Sequence, residues 1–357
     1  MLDKLFYRFN QFRKDQYFNN PLFSTCQQYA CVGIGMHSLS VLYPVLKHFN
    51  IRPKYCCTAN TDRSEAIAKI FPGTRSTRDP QDILHDTEVT GVFLCASAGA
   101  HFGLLRQFLA AGKKVFVEKP PCLSLQDLSS LVEISTGATC IVGLQRRYWK
   151  GNKQILRRVK STSSYIYRFA FGPYPQGNVF YDLFIHAADY CHFLFGACSI
   201  LSQHQRKEKE GLTIQLQVLH DNGISGLIEL STAHSWSEPL EEMTIRTTDE
   251  YLEVHYPIEL TGTRKPKRVF GIPAERLLSS PTLIKKYFTA GSQIVPAWDH
   301  NTIVMQGFYE ELATFIQLVE SGTGSTPVND LPGLRPVYQI LDQLEHFTSP
   351  DGSRVTG

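Results

Sequence analysis

Gly33 and Gly35, in the run Gly33-Ile34-Gly35-Met36-His37-Ser38, follow an apolar segment and precede a stretch of helical periodicity. The first glycine permits a tight turn and the second lets a pyrophosphate approach the backbone. The helix start behind them offers unbonded N–H groups and a favourable dipole. Ser38 holds the third position, where a small side chain keeps helix and strand close. The spacing alone also suits a plain strand-turn-helix corner; its place at the first such turn of an alternating pattern favours a dinucleotide, NAD or NADP. About twenty positions further on, where a carboxylate would grip the adenosine ribose, the chain has Asn60. An amide does not repel a 2′-phosphate, and Thr61 and Arg63 supply a hydroxyl and a cation, so NADP(H) is expected over NAD(H). In the alternative, Arg63 is a solvated residue of the first helical turn and Asp62 its N-cap. A third signal is Val115-Phe116-Val117-Glu118-Lys119-Pro120-Pro121. A lysine at the carboxyl end of a parallel strand can polarise a carbonyl or share a proton with an alcohol, the more so if partial burial lowers its pKa. A lysine before proline is otherwise a solvated turn residue.

These groups need a sheet to hold them. Strands are expected at Tyr29–Ile34, Lys54–Ala59, Gly91–Ala96, Lys114–Val117 and Thr139–Gly143. Helices are expected between them at Ser38–Phe49, Arg63–Ile70, His101–Ala111 and Leu125–Ser135. Strand and helix in alternation imply a parallel sheet covered on both faces, because parallel neighbours need crossover connections. After about residue 145 the rhythm changes. Tyr165–Phe171, Leu212–His220, Ile224–Thr232, Glu242–Thr247 and Tyr251–His255 read as strands joined by short turns such as Asp221-Asn222-Gly223. Helices are predicted over Val179–Phe195, Thr302–Ser321 and Leu334–His346, and the stretch from Thr261 to Trp298 is expected to be an extended crossing or loop. The fold class is therefore α/β: a Rossmann-type doubly wound parallel sheet, then an α+β domain with a largely antiparallel, open-faced sheet.

Composition narrows the partners. Of 357 residues 43% are hydrophobic and 19% charged, enough apolar surface for about two domains and against extensive disorder. Lys+Arg 36 against Asp+Glu 33 gives a net charge of +3, too little for a nucleic-acid footprint. Nine cysteines form no C-x-x-C pair and an odd count cannot close completely, so the expectation is reduced thiols, no metal and a cytoplasmic setting. No run is long and apolar enough to span a bilayer, and the N-terminus has no uninterrupted signal-type core. Leu2, Leu5, Phe6, Phe9 and Phe12 recur at helical spacing among Lys4, Arg8 and Arg13. An amphipathic helix is expected there, packing on its own body or a sister subunit, with a membrane surface as the alternative.

Glu118-Lys119-Pro120, the Gly33/Gly35 turn and Ser97-Ala-Gly-Ala-His101 together resemble the Gfo/Idh/MocA family of nicotinamide-dependent oxidoreductases. In that family the lysine sits beside the nicotinamide and a later D-x-x-x-H segment completes the site. Gly177-Asn178 followed by Asp182-Leu-Phe-Ile-His186-Ala-Ala-Asp189 is similar to that segment, and spacing of four puts Asp182 and His186 on one helix face. Gln145-Arg146-Arg147-Tyr148 resembles the family's domain junction. The resemblance implies catalytic roles for Lys119, Asp182 and His186. It implies cofactor contacts from Gly33, Gly35, Ser38, Asn60, Thr61, Arg63, Ser97, His101, Glu118 and Gln145, and substrate contacts from Arg147, Tyr148 and Tyr174. The specific motifs cover residues 29 to 200. Asn60 in place of an acid and Ala98 where proline is common depart from the family pattern.

The division so implied is an extension at 1–28, a dinucleotide domain at 29–146, a substrate and oligomerisation domain at 147–325, and a closing helix at 326–357 that packs back on the dinucleotide domain. The implied reaction is hydride transfer between NAD(P) and a secondary alcohol or ketone of a sugar, polyol or related small molecule. Two alternatives stand beside it: glycosidic elimination by transient sugar oxidation, and a non-catalytic dinucleotide or sugar sensor. The open sheet face is expected to be covered by a second subunit, giving a dimer or tetramer.

Overall fold

The computed structural model of the chain describes residues 8, 25–276, 284–290, 302–321 and 329–347. The helix expected over the first fifteen residues lies outside these, Arg8 excepted. The described chain forms two compact units, one of residues 1–121, 131–142 and 309–330, the other of residues 122–130, 143–308 and 331–357. Among the described residues no helix is long and apolar enough to cross a membrane.

The first unit is built on six strands: β1 (Gln28–Val32), β2 (Tyr55–Cys57), β3 (Arg75–Thr77), β4 (Val89–Leu94), β5 (Lys114–Glu118) and β6 (Cys140–Gly143), in the order β3-β2-β1-β4-β5-β6. The pairs from β3 through β5 are parallel. Near-continuous burial of Ala30–Val32, Val92–Leu94 and Val115–Val117 is what a sheet covered on both faces demands. The short β3 and the Gln81–Leu84 helix were not among the expected elements; RST has no apolar period to betray it. The helix Phe308–Ser321 belongs to this unit from Tyr309 onward. Its Phe315 packs 5.1 Å from Phe93 and 5.9 Å from Phe116, and Lys114 Nζ donates to the Leu318 carbonyl at 3.0 Å.

The second unit carries an eight-stranded sheet. Its strands are β7 (Thr162–Ala170), β8 (Cys198–Lys207), β9 (Leu212–His220), β10 (Ser225–Ser231), β11 (Leu240–Thr247), β12 (Glu250–His255), β13 (Glu259–Arg264) and β16 (Ile284–Thr289). A small hairpin, β14 (Arg268–Val269) with β15 (Ile272–Pro273), stands apart. The order is β16-β13-β12-β11-β7-β10-β9-β8, antiparallel except for the parallel pair β7 and β10. Strict alternation in β9 buries one face, and the Ile185–Phe195 helix covers it: Phe195 stacks on Tyr165 at 4.3 Å. On the other face Ile166 and its register partner Leu227 are 47% and 51% exposed.

Two expectations need correction. The stretch from Thr261 to Trp298 is not simply a crossing, since β13 and β16 pair within it, Gly262 leaving room for the Tyr287 ring. The helix at Thr302–Ser321 is two pieces, Thr302–Met305 and Phe308–Ser321, separated at Gly307. Within the second unit the Arg335–Glu345 helix packs on the Ile185–Phe195 helix, and its Tyr338 hydroxyl donates to the Cys122 carbonyl at 2.8 Å; Phe308–Ser321 packs on the parallel sheet. Both helices bury an apolar stripe, and the stripe does not say against which partner.

Candidate active site

The glycine turn follows β1 directly. Gly33 has φ +91, and a Cβ there would lie 2.5 Å from the Ala96 nitrogen just past β4, closer than any side chain permits. Its N–H donates to the Cys57 carbonyl at 2.8 Å, tying the turn to β2. Gly35 differs: nothing lies within 4 Å of a Cβ built on it, so its outer side is open to an approaching phosphate. Ser38 is buried and closes the turn, accepting from the Gly35 N–H at 2.8 Å and donating to the Gly35 carbonyl at 2.9 Å. Behind it the helix opens with a π turn, Ser38–Leu42, and continues as Tyr43–His48. Such wide turns recur at functional sites.

At the end of β2, Asn60 is the N-cap of the Thr61–Ile70 helix, its Oδ1 accepting the Arg63 N–H at 3.2 Å. The cap is therefore Asn60 and not Asp62. Thr61 opens that helix, and the Arg63 Nη1 reaches the Ile34 carbonyl at 3.5 Å, which lays its guanidinium against the glycine turn. Ser97 precedes the Ala98–Ala110 helix as its N-cap residue.

Glu118 ends β5, and Lys119 follows it, half-buried. His37 of the glycine turn pairs with Glu118 at 2.9 Å. Burial alone would raise the Glu118 pKa, but His37, Lys119 and His101 together hold it below the ordinary carboxylate range. Burial alone would lower that of His37; Glu118 outweighs it and raises it, Lys119 opposing. His101 is buried and donates from Nδ1 to the Pro120 carbonyl at 2.8 Å, so it holds the loop that carries Lys119.

In the second unit Asp182 lies in a π turn, Phe180–Phe184, that runs into the Ile185–Phe195 helix bearing His186. Asn178 caps this start, its Oδ1 accepting the Phe180 N–H at 3.0 Å, while the buried Asp182 accepts the Asn178 N–H at 2.9 Å. Gly177 has φ +79, and a Cβ there would overlap the Asp182 Oδ2. The Tyr174 phenol is raised in pKa, first by burial and then by Asp182, to which it hydrogen-bonds. Tyr174 also lines a cavity of about 430 Å³ with Pro173, Pro175, Val179 and Leu212. Gln145 is buried in the turn Gln145–Tyr148. The Arg147 guanidinium is buried on Asp189, at 3.1 and 3.0 Å from Nε, so it clamps this turn to the His186 helix. Tyr148 is half-buried beside it, on a cavity that it shares with Lys150, Lys153 and Phe193. Asn152 donates to the Arg146 and Arg147 carbonyls at 2.7 and 3.0 Å and stiffens the turn.

Sequence reasoning missed the roles of His37, Asn152, Asn178 and Asp189. Asn178 carried a signal, a capping residue just before a helical period; a pair such as His37 with Glu118 carries none.

Residues 28–145 match the family model described as "Oxidoreductase family, NAD-binding Rossmann fold". Over these residues the chain is similar to the Gfo/Idh/MocA oxidoreductase family. The chain is 27% identical over 208 residues to scyllo-inositol 2-dehydrogenase (NAD(+)) of Bacillus subtilis (strain 168), covering 52% of this chain and 61% of that protein. It thus spans less than two thirds of that relative's length. It is 23% identical over 299 residues to D-apiose dehydrogenase of Paraburkholderia graminis, covering 73% of this chain and 79% of that protein. A dehydrogenase from Chromobacterium violaceum has the same fold, with TM-score 0.75 at 15% identity over 90% of this chain and 94% of that one. The matched family model is described as NAD-binding, and the open side of Gly35, the Gly33 turn and the helix start behind them fit a dinucleotide pyrophosphate.

Proposed function

We propose that the chain is an NAD(P)-dependent oxidoreductase acting on a secondary alcohol or ketone of a sugar, polyol or related small molecule. The observation that carries this reading is the Lys119 loop: an amine at the carboxyl edge of a parallel sheet, its flanks held by His37 on Glu118 and by His101 on the Pro120 carbonyl. Bound NAD(P) would supply the hydride acceptor or donor. Oxidising a carbinol also releases the hydroxyl proton, and this the chain must handle. In this reading Lys119 polarises the substrate oxygen, His186 exchanges the hydroxyl proton, and Asp182, fixed by Asn178 and Tyr174, orients them. Tyr174 and Tyr148 contribute substrate contacts, and the relatives named for an inositol and for apiose support cyclic polyhydroxylated substrates.

For the cofactor, Asn60 and the placement of Arg63 against the glycine turn favour NADP over NAD. A second copy of the chain over the sheet face bearing Ile166 and Leu227 belongs to the same reading, and sedimentation of the purified protein checks it. So does a reducing, cytoplasmic compartment, which suits nine free cysteines.

The test is reduction of NAD and NADP with a panel of sugars and inositols, and the reverse reaction with their keto derivatives. Replacing Lys119→Met should lower turnover by at least ~10²-fold while leaving dinucleotide binding largely intact. Near-normal turnover removes Lys119 from the chemistry, and dinucleotide binding without turnover across the panel replaces the enzyme with a sensor.

A further inference from the structure

The pair between His37 and Glu118 is unusual in where it runs. In the sheet β4 lies between β1 and β5, so an ion pair from the turn after β1 to the last residue of β5 reaches past the carboxyl end of β4. That end is a topological switch point: the chain moves outward from β1 to β3 on one side and from β4 to β6 on the other. Ligands of open α/β sheets bind in the crevice formed there. Cys95, the first residue after β4, senses the arrangement. Its thiol is pushed well up in pKa, first by burial and next by the Glu118 carboxylate. Glu118 thus keeps a negative charge at the place where a dinucleotide must bring two more on its pyrophosphate.

We propose that His37 is a cofactor-binding residue whose imidazolium offsets Glu118 and admits the anionic dinucleotide to the crevice. This rests on the functional reading above. The groups that face the pair are Glu118 on β5, Lys119 in the loop after it, His101 on the Ala98–Ala110 helix and the Cys95 thiol past β4. Lys119 disfavours a proton on His37 and Glu118 favours one, with Glu118 prevailing. An arriving pyrophosphate adds to the side of Glu118, so binding draws a proton onto His37 wherever the free imidazole is part neutral. Linkage gives the sign: affinity is highest below the His37 pKa of the free protein. It falls as pH rises from there to the higher pKa of the complex, by at most tenfold per pH unit for one proton.

The side chain of His37 is 41% exposed, so polar replacements should fold. The experiment titrates the purified chain with NADH and NADPH by nicotinamide fluorescence, from about pH 6 to about pH 9, the range in which a raised imidazole changes charge. Wild type should lose about tenfold or more in affinity over this range, with proton uptake visible as a buffer-dependent binding enthalpy. His37→Gln should bind about tenfold or more weakly than wild type at the acid end, match it at the alkaline end and take up no proton. His37→Lys, a permanent cation, should keep tight binding across the range. If His37→Gln shows the wild-type affinity and slope throughout, His37 is not the responsible cation and the proposal falls while the enzyme reading stands. If wild type binds neither dinucleotide at any pH, the enzyme reading itself fails and takes the proposal with it.

Discussion

The two glycines of the first turn make opposite predictions when each is changed to alanine. At Gly33 the left-handed backbone, φ +91, costs an alanine roughly 1–2 kcal/mol. The new methyl would also sit 2.5 Å from the Ala96 nitrogen, nearly an ångström inside ordinary contact and against backbone that cannot swing aside. Overpacking of that kind adds roughly 1–3 kcal/mol. Gly33→Ala should therefore lose about 2–5 kcal/mol of folding stability with no cofactor present, a sizeable share of the ~5–15 kcal/mol that a domain possesses. At Gly35 a Cβ meets nothing within 4 Å, and its φ is outside the left-handed range. Gly35→Ala should fold as well as wild type, or better by up to about 1 kcal/mol through a less flexible unfolded chain. Yet its methyl would occupy the space assigned to a phosphate, so dinucleotide affinity should fall at least about tenfold, roughly 1.4 kcal/mol. Urea denaturation measures the first quantity and fluorescence titration with NADPH the second. A Gly33→Ala protein of wild-type stability would refute the close-approach argument. A Gly35→Ala protein that binds NADPH normally would refute the location of the phosphate site.

Two further substitutions test the ends of the proposed site. Asn60→Asp keeps a good helix cap and adds a negative charge, so stability should hold while the ratio of NADP to NAD affinity drops by about tenfold or more, read from parallel titrations. Gly177→Ala would push the Asp182 carboxylate off the Asn178 N–H and away from Tyr174; turnover should fall by at least about tenfold with the dinucleotide Kd nearly unchanged, measured by steady-state kinetics beside binding.

The parallel sheet was legible because its strands announce themselves: Ala30–Val32 and Val115–Val117 are unbroken apolar runs, each ended by a residue type with a chemical use. The alternation in Leu212–His220 announced the second sheet in the same way. By contrast β8, with Ser, Gln, His, Arg and Lys through most of its length, has too few apolar residues to show a period. Pairing to β9 at the sheet edge makes it a strand. Arg147 shows the same limit at the site. Nothing in the run from Gln145 to Tyr148 announces that Asp189 lies within hydrogen-bonding reach of its guanidinium.

By itself the order of amino acids determined where the turn, the lysine loop and the Asp182–His186 helix occur, since each depends on a backbone conformation or a spacing set within a few residues. Tertiary structure decided the rest: which helix covers which sheet, that Tyr174 leans on Asp182, and that His37 answers the charge of Glu118. Those are relations between side chains remote along the chain. A pairing of this sort leaves no period for a sequence to display, because the energy that selects it arises when folding brings the two groups face to face and partly shields them from water.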